Sequence, residues 1–164
     1  MKEVFYNDGK EVVRRSLKSD SEYLSKHLRQ CDIDEVWASH NVTPKEALDS
    51  GFEKSVFCLT VENGNPIAMF GINPKSILGQ EAVVWFLASD DLERIQYKFL
   101  KYSRKFIKMM LDFYPYLDNY VDDRNTKSIK WLKMCGATVE EPAPYGIEKK
   151  LFRYFYFKRG DKDV

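Results

Sequence analysis

Leu92, Ile95, Phe99, Ser103, Phe106 and Met110 fall on one stripe at helical spacing, which predicts a long amphipathic helix over 91–113. Tyr114-Pro115 ends it. The segment before it, Glu-Ala-Val-Val-Trp-Phe-Leu-Ala at 81–88, is almost continuously apolar, as expected of a strand buried on both faces. A strand of that kind followed by such a helix requires a sheet with helices packed against it.

The remaining elements are consistent with this. Val12-Val13 is a short strand, 20–28 a helix with Tyr23, Leu24 and Leu28 as its stripe, and 33–39 a second helix. A third helix starts at Thr43-Pro44, with Thr as the cap and Pro in the first turn, and Gly51 is expected to end it. Strands at 55–62 and 66–72 flank an Asn63-Gly64-Asn65 hairpin turn. After the long helix come a strand at 117–122, a helix at 125–134 closed by Gly136, a strand starting at Thr138-Val139 and a Pro-rich turn over 140–146. Leu-Phe-Arg-Tyr-Phe-Tyr-Phe-Lys at 151–158 is apolar on both faces and is expected inside the sheet. The order predicts an α/β (α+β) fold, a mixed sheet of about six to seven strands with helices on both faces.

No repeat, low-complexity tract or linker divides the 164 residues, so one domain over 1–164 is expected. Lys and Arg number 26 against 25 Asp and Glu, so net charge selects neither nucleic acid nor membrane as a partner, and only local clusters could. No apolar run is long enough to span a bilayer and the N-terminus has no signal-like stretch, which leads us to expect a cytoplasmic protein. Cys31, Cys58 and Cys135 suit a reducing compartment and form no zinc spacing, and His27 and His40 are isolated.

Asn125-x-x-Ser128-x-x-Trp131-Leu132-x-x-x-Gly136, directly after a strand, resembles the second motif of the GNAT superfamily, as does the element order. A series covering nearly the whole chain is more specific. Glu35-Val36-Trp37-Ala38, Thr43-Pro44 with Ala47-Leu48, Pro66-Ile67-Ala68-Met69-Phe70-Gly71, Trp85, Arg124-Asn125 and Trp131-Leu132 resemble a GNAT-like tailed-phage family. That family includes the internal virion protein A of short-tailed phages. The resemblance implies a GNAT-like sheet, a phage or prophage origin, the bacterial host cytoplasm or the virion as location, and protein partners among phage structural components. It does not by itself imply catalysis.

In GNAT enzymes a glycine-rich loop at the start of the long helix binds the acetyl-CoA pyrophosphate on backbone N–H groups. The corresponding segment, Ala88-Ser89-Asp90-Asp91-Leu92-Glu93-Arg94, has no glycine and three carboxylates. Asp90-x-x-Glu93 has capping-box spacing, so side-chain oxygens are expected on the N–H groups a phosphate would need. Either this is a capped helix that binds no cofactor, or acetyl-CoA binds through a different loop geometry with Lys or Arg offsetting the acids.

If a cofactor binds, the resemblance places it against Phe86, Leu87 and Ala88 at the strand end and against Asn125 and Ser128, whose other role is to cap and pack their helix. The superfamily's usual acid, a Tyr on the second-motif helix, falls on Leu132, which donates no proton. Neighbouring Trp131 is no useful acid, and Cys135 reads as a small buried residue. Its usual base falls on Glu81, which also reads as a solvated strand-end charge, with Asp122 and Asp123 as alternatives that would cap the following turn.

Arg94, Lys98, Lys101, Lys105 and Lys108 repeat at spacings of four, three, four and three opposite the apolar stripe. Such a row is either a solvated face or the footprint of an anionic partner, a nucleic acid or an acidic protein surface. Tyr97, Tyr102, Tyr114, Tyr116 and Tyr120 lie in or near this helix, as packing residues or as part of an interface. Two functions remain open: a silent fold working through protein contacts in virion assembly or as an internal virion component, without a cofactor, and an active N-acetyltransferase using acetyl-CoA.

Overall fold

A computed structural model describes residues 2–160 and 164. Among these residues the sheet has nine strands: β1 (Val4–Asn7), β2 (Val12–Arg15), β3 (Phe57–Asn63), β4 (Asn65–Pro74), β5 (Glu81–Ala88), β6 (Tyr116–Asp122), β7 (Thr138–Val139), β8 (Ala143–Tyr145) and β9 (Lys150–Lys158). Helices α1 (Lys18–Leu24), α2 (Gln30–His40) and α3 (Pro44–Lys54) precede β3. Helix α4 (Leu92–Phe113) connects β5 to β6, and α5 (Thr126–Met134) follows β6. The strand order is β1-β2-β3-β4-β5-β6-β9-β7, with β8 also paired to β9. Every pair is antiparallel except β5 with β6.

Side-chain alternation along the strands builds two cores. Val84 and Phe86 of β5 turn to the side packed by α4 and α5, where Phe99, Phe106, Ile107, Ile129 and Leu132 are buried with Leu117, Phe155 and Phe157. Trp85 and Leu87 turn to the opposite side, packed by Leu24, Leu28 and Leu48 from the first three helices and their loops. This two-sided burial accounts for the nearly unbroken apolar run at 81–88. On α1, the Asp20 carboxylate takes the Arg14 guanidinium at 2.7 Å and the Thr60 hydroxyl at 2.8 Å, fixing that helix to β2 and β3.

Several boundaries differ from the sequence expectation. Nine strands replace six to seven, because β1 and β8 are short edge pieces whose pairing alone defines them; β8 lies in the stretch expected as a Pro-rich turn. Helix α1 stops at Leu24, and Leu28 instead bridges to Ser89. Gly51 does not end α3, which continues to Lys54. A Cβ at Gly51 would lie 2.7 Å from Cζ2 of Trp85, so glycine is required there by close approach to the indole and not by a turn. Gly136 does close α5, at φ 96°. The Thr43 cap with Pro44 forms as expected, with Glu46 N–H donating to Thr43 Oγ1 at 3.2 Å. β9 lies inside the sheet, between β6 and β7.

Candidate functional site

The parallel ladder between β5 and β6 is short. It pairs Glu81, Ala82 and Val83 with Tyr116, Leu117 and Asp118 and then stops. Asn119 ends it: its side-chain amide donates to the Val84 carbonyl at 2.8 Å while its own oxygen accepts the Tyr120 N–H at 2.8 Å. Beyond this point the strands separate and leave a cavity of about 200 Å³. Phe70, Phe86, Phe99, Trp131 and Leu132 line it on the α4–α5 side, and Arg29, Asp32 and Glu35 of the α2 region line the other. Phe86, Phe99 and Trp131 stack on one another, with centroids 5.2–5.8 Å apart, so aromatic rings fill much of the space between β5 and the two helices.

One helix occupies both lips of this split. The buried Asp32 carboxylate accepts the Ala88 N–H of β5 at 2.9 Å, and the Arg29 N–H donates to the Ala88 carbonyl at 2.9 Å. One helical turn on, Glu35 accepts the Asp122 N–H of β6 at 2.6 Å. Thus α2 supplies hydrogen-bond partners where the missing ladder would have supplied them. Arg29 holds Asp32 through two bonds of 3.0 and 2.9 Å and lies 5.9 Å from the Phe86 ring centre. Val84 and Ala88 both turn backbone groups towards the split, so Phe86, two residues from each, does the same.

The electrostatics follow from burial. It pushes the Asp32 carboxyl above its ordinary range in spite of Arg29. Burial, with Asp32 and Asp122 nearby, pushes Glu35 up to about 8, although the Asp122 N–H opposes the shift. Burial also works against the Asp122 carboxylate, but the Arg124 guanidinium and N–H outweigh it and hold that group low. The Cys135 thiol is buried beside Ser103 and pushed up to about 11, so it is no nucleophile at neutral pH.

At the start of α4 the expected Asp90–Glu93 capping box does not form. Helix α4 has no side-chain cap. Its first N–H groups, on Leu92, Glu93 and Arg94, donate to the carbonyls of Ser89, Asp90 and Asp91 at 3.1–3.2 Å in a tight turn. Glu93 instead reaches Lys127 at 3.1 Å. These three N–H groups are therefore engaged by backbone, and the three carboxylates remain beside them.

Of the residues singled out from sequence, Phe86 and Ser128 line the cavity. Ala88 sits at its closed lip, Leu87 faces the opposite core, and Asn125 caps α5, accepting the Ser128 N–H at 3.2 Å. Glu81 lies at the exposed, paired end of β5, 3.6 Å from Lys75, and does not line the split. Asp122 accepts the Arg124 N–H at 2.9 Å and Asp123 pairs with Arg153 at 2.6 Å, both in the turn leading to α5. Arg29 and Asp32 escaped the sequence reading, and Glu35 entered it only within Glu35-Val36-Trp37-Ala38, with no site role. Their one signal, charge on the inner side of a short helix, is indistinguishable from a solvated face until the split is placed.

The fold defined by this sheet is GNAT-like, and solved acetyltransferases share it. A spermidine N-acetyltransferase from Vibrio cholerae, in complex with CoA and spermine, is similar over 94% of this chain and 98% of that chain, at 14% identity and TM-score 0.66. A ribosomal-protein-S5-alanine acetyltransferase from Vibrio fischeri is similar over 96% and 97%, at 15% identity and TM-score 0.67. Identities this low establish the fold alone. A family model described as bacteriophage T7 probable scaffold protein Gp13 matches residues 67–142, which span β5, α4, β6 and α5. No curated protein matches the chain.

Proposed function

We propose that this is a phage-encoded GNAT-fold protein that works through protein contacts in particle assembly, or as an internal virion component, without acetyl-CoA. The observation that carries this reading is the closed end of β5. Both backbone groups of Ala88 are bonded within the chain, to Asp32 and Arg29, at the strand end next to the helix start where the superfamily holds its cofactor. The engaged α4 N-terminus and the carboxylates of Asp90, Asp91 and Glu93 act in the same direction, since anions are repelled there. The scaffold-family match over 67–142 supports the phage setting and the protein partners.

A second reading, an acyltransferase, is favoured by one feature. Glu35 reaches into the split with its carboxyl pushed up to about 8, near the value a general base needs at neutral pH. Melting with and without 1 mM acetyl-CoA separates the two. A dissociation constant of about 10 μM would stabilise the protein by about 2.7 kcal/mol, or roughly 5–10 °C for a chain of this size. We expect no shift. A shift of several degrees that Glu35→Gln leaves in place, with acetyl transfer that Glu35→Gln abolishes, would establish the enzyme instead. Immunoblots of purified particles and procapsids test the assembly role, and absence from both refutes it.

A further inference from the structure

We infer that the outer face of α4 and α5 binds double-stranded nucleic acid through its phosphate backbone. This inference is independent of the cofactor question. The two helices carry nine Lys and Arg against two acids, Glu93 and Asp112, a local charge of +7 in a chain of net +1, so the remainder carries −6. The helices lie side by side and parallel on one side of the sheet. Lys127 meets Glu93 near both N-termini, and further along Arg104 donates to the Met134 carbonyl at 3.0 Å.

The row read from sequence is not uniform. Lys98 is engaged by Asp8 and Glu11 of the β1–β2 hairpin, at 3.0 Å each, and Arg94 lies 3.7 Å from Asp91. Lys101, Lys105 and Lys108, with Lys130 and Lys133 of α5, are exposed and have no acidic partner within 4.0 Å among the described residues. Arg104, held by a carbonyl, adds a further exposed cation between the two rows. On the two helices themselves the acids are confined to the ends of α4, while Asp8 and Glu11 flank Lys98 and Asp123 lies in the hollow beside Lys130 and Lys133.

Charge without anchors favours phosphate over protein. Apart from Tyr97 and Phe113, towards opposite ends of α4, and Met134, no large hydrophobic residue is exposed on these helices, whereas a stable protein interface needs a cluster of buried anchors. The same lack of aromatic platforms argues against single strands, which bind largely by base stacking. From Arg94 to Lys108 the face spans about 21 Å at a helical rise of ~1.5 Å per residue, or about six base pairs at ~3.4 Å per phosphate along one strand. The free cations of this face are mostly lysines, which meet phosphates as point charges, so the contacts proposed are to the backbone and binding is indifferent to sequence.

Fluorescence anisotropy with a labelled 30-base-pair duplex tests this from about 50 to 200 mM NaCl. With about four phosphates neutralised, log K falls against log salt with a slope near −3.6, about 150-fold across that range. Duplexes of unrelated sequence bind equally. Lys101→Glu with Lys105→Glu and Lys108→Glu weakens binding at least tenfold. Lys18→Glu with Lys26→Glu and Lys54→Glu, on the opposite helical layer and equal in net charge, changes it less than threefold. Lys130→Glu with Lys133→Glu gives an independent loss if the first triple variant fails to fold by circular dichroism. Equal losses in both triple variants, no loss in either α4 or α5 variant, tighter binding of a single-stranded 30-mer, or binding of poly-L-glutamate in place of the duplex would each overturn the inference.

Discussion

Replacing Asp32 with Ala removes the group that closes the β5 lip, and its cost follows from the partners it abandons. Asp32 is 1% exposed and holds both the Arg29 guanidinium and the Ala88 N–H. Breaking a buried ion pair from one side costs ~3–5 kcal/mol, because the remaining charge is left uncompensated. The Arg29 side chain keeps 17% of its surface, which sets the lower end, about 3 kcal/mol. The abandoned Ala88 N–H adds about 1 kcal/mol. A loss near 4 kcal/mol corresponds to a melting temperature lower by roughly 8–16 °C for a chain of this length. Urea unfolding at pH 7, followed by tryptophan fluorescence, measures it. Burial raises the Asp32 carboxyl despite Arg29, so the pair is held against a desolvation cost. Removing both charges in Arg29→Met with Asp32→Ala should therefore recover part of the loss, and the cycle completed by Arg29→Met alone should give a coupling energy of at least ~1.5 kcal/mol. A single-variant loss under about 1 kcal/mol, or additive variants, would refute the closed lip.

Two further perturbations test the neighbouring structure. The Glu35 carboxyl titrates near 8 in the folded protein and lower when unfolded, so the folded state holds the extra proton. Stability from Glu35 is then fully present below the unfolded value and is lost as pH rises towards 8; thermal melts from pH 5 to 8 should show this decline, and Glu35→Gln should flatten it. A decline of equal steepness in Glu35→Gln would locate its source elsewhere. Gly51→Ala, which in an open helix interior gains about 1 kcal/mol, should here lower stability by about 1 kcal/mol, because overpacking against Trp85 costs ~1–3 kcal/mol. In a Trp85→Phe background the same change should become neutral or favourable, by calorimetry, and persistent destabilisation there would remove the indole as its cause.

Much of the fold could be read from periodicity because both layers leave a periodic trace. The α4 stripe and the two-faced strand at 81–88 were legible for that reason, and so were Gly136 and the Thr43 cap, whose roles are local. Gly51 was misread because a glycine in a helix looks the same whether it stops the helix or admits an indole from a strand more than thirty residues away. β1 and β8 were missed because short edge strands are defined by partners and not by composition.

The split was harder to read, for a physical reason that also bears on function. A missing glycine loop is visible in sequence, but what takes its place is not. Capping chemistry predicted side-chain oxygens from Asp90 and Glu93 on the α4 donors, whereas the chain uses the carbonyls of Ser89, Asp90 and Asp91 there and sends its two effective carboxylates from α2. Asp32 and Glu35 are three residues apart, so a single helical turn aims one at β5 and the other at β6. Separated strands leave unpaired backbone groups, and unpaired groups must find a ligand, water or the chain itself. Where a cofactor supplies those bonds, the strand end can remain open in its absence only to water. At Ala88 the chain supplies both bonds, so a ligand would have to displace Asp32 and Arg29 before gaining a bond at that residue. That difference in free energy, more than the absence of glycine, is what the proposed role through protein contacts rests on.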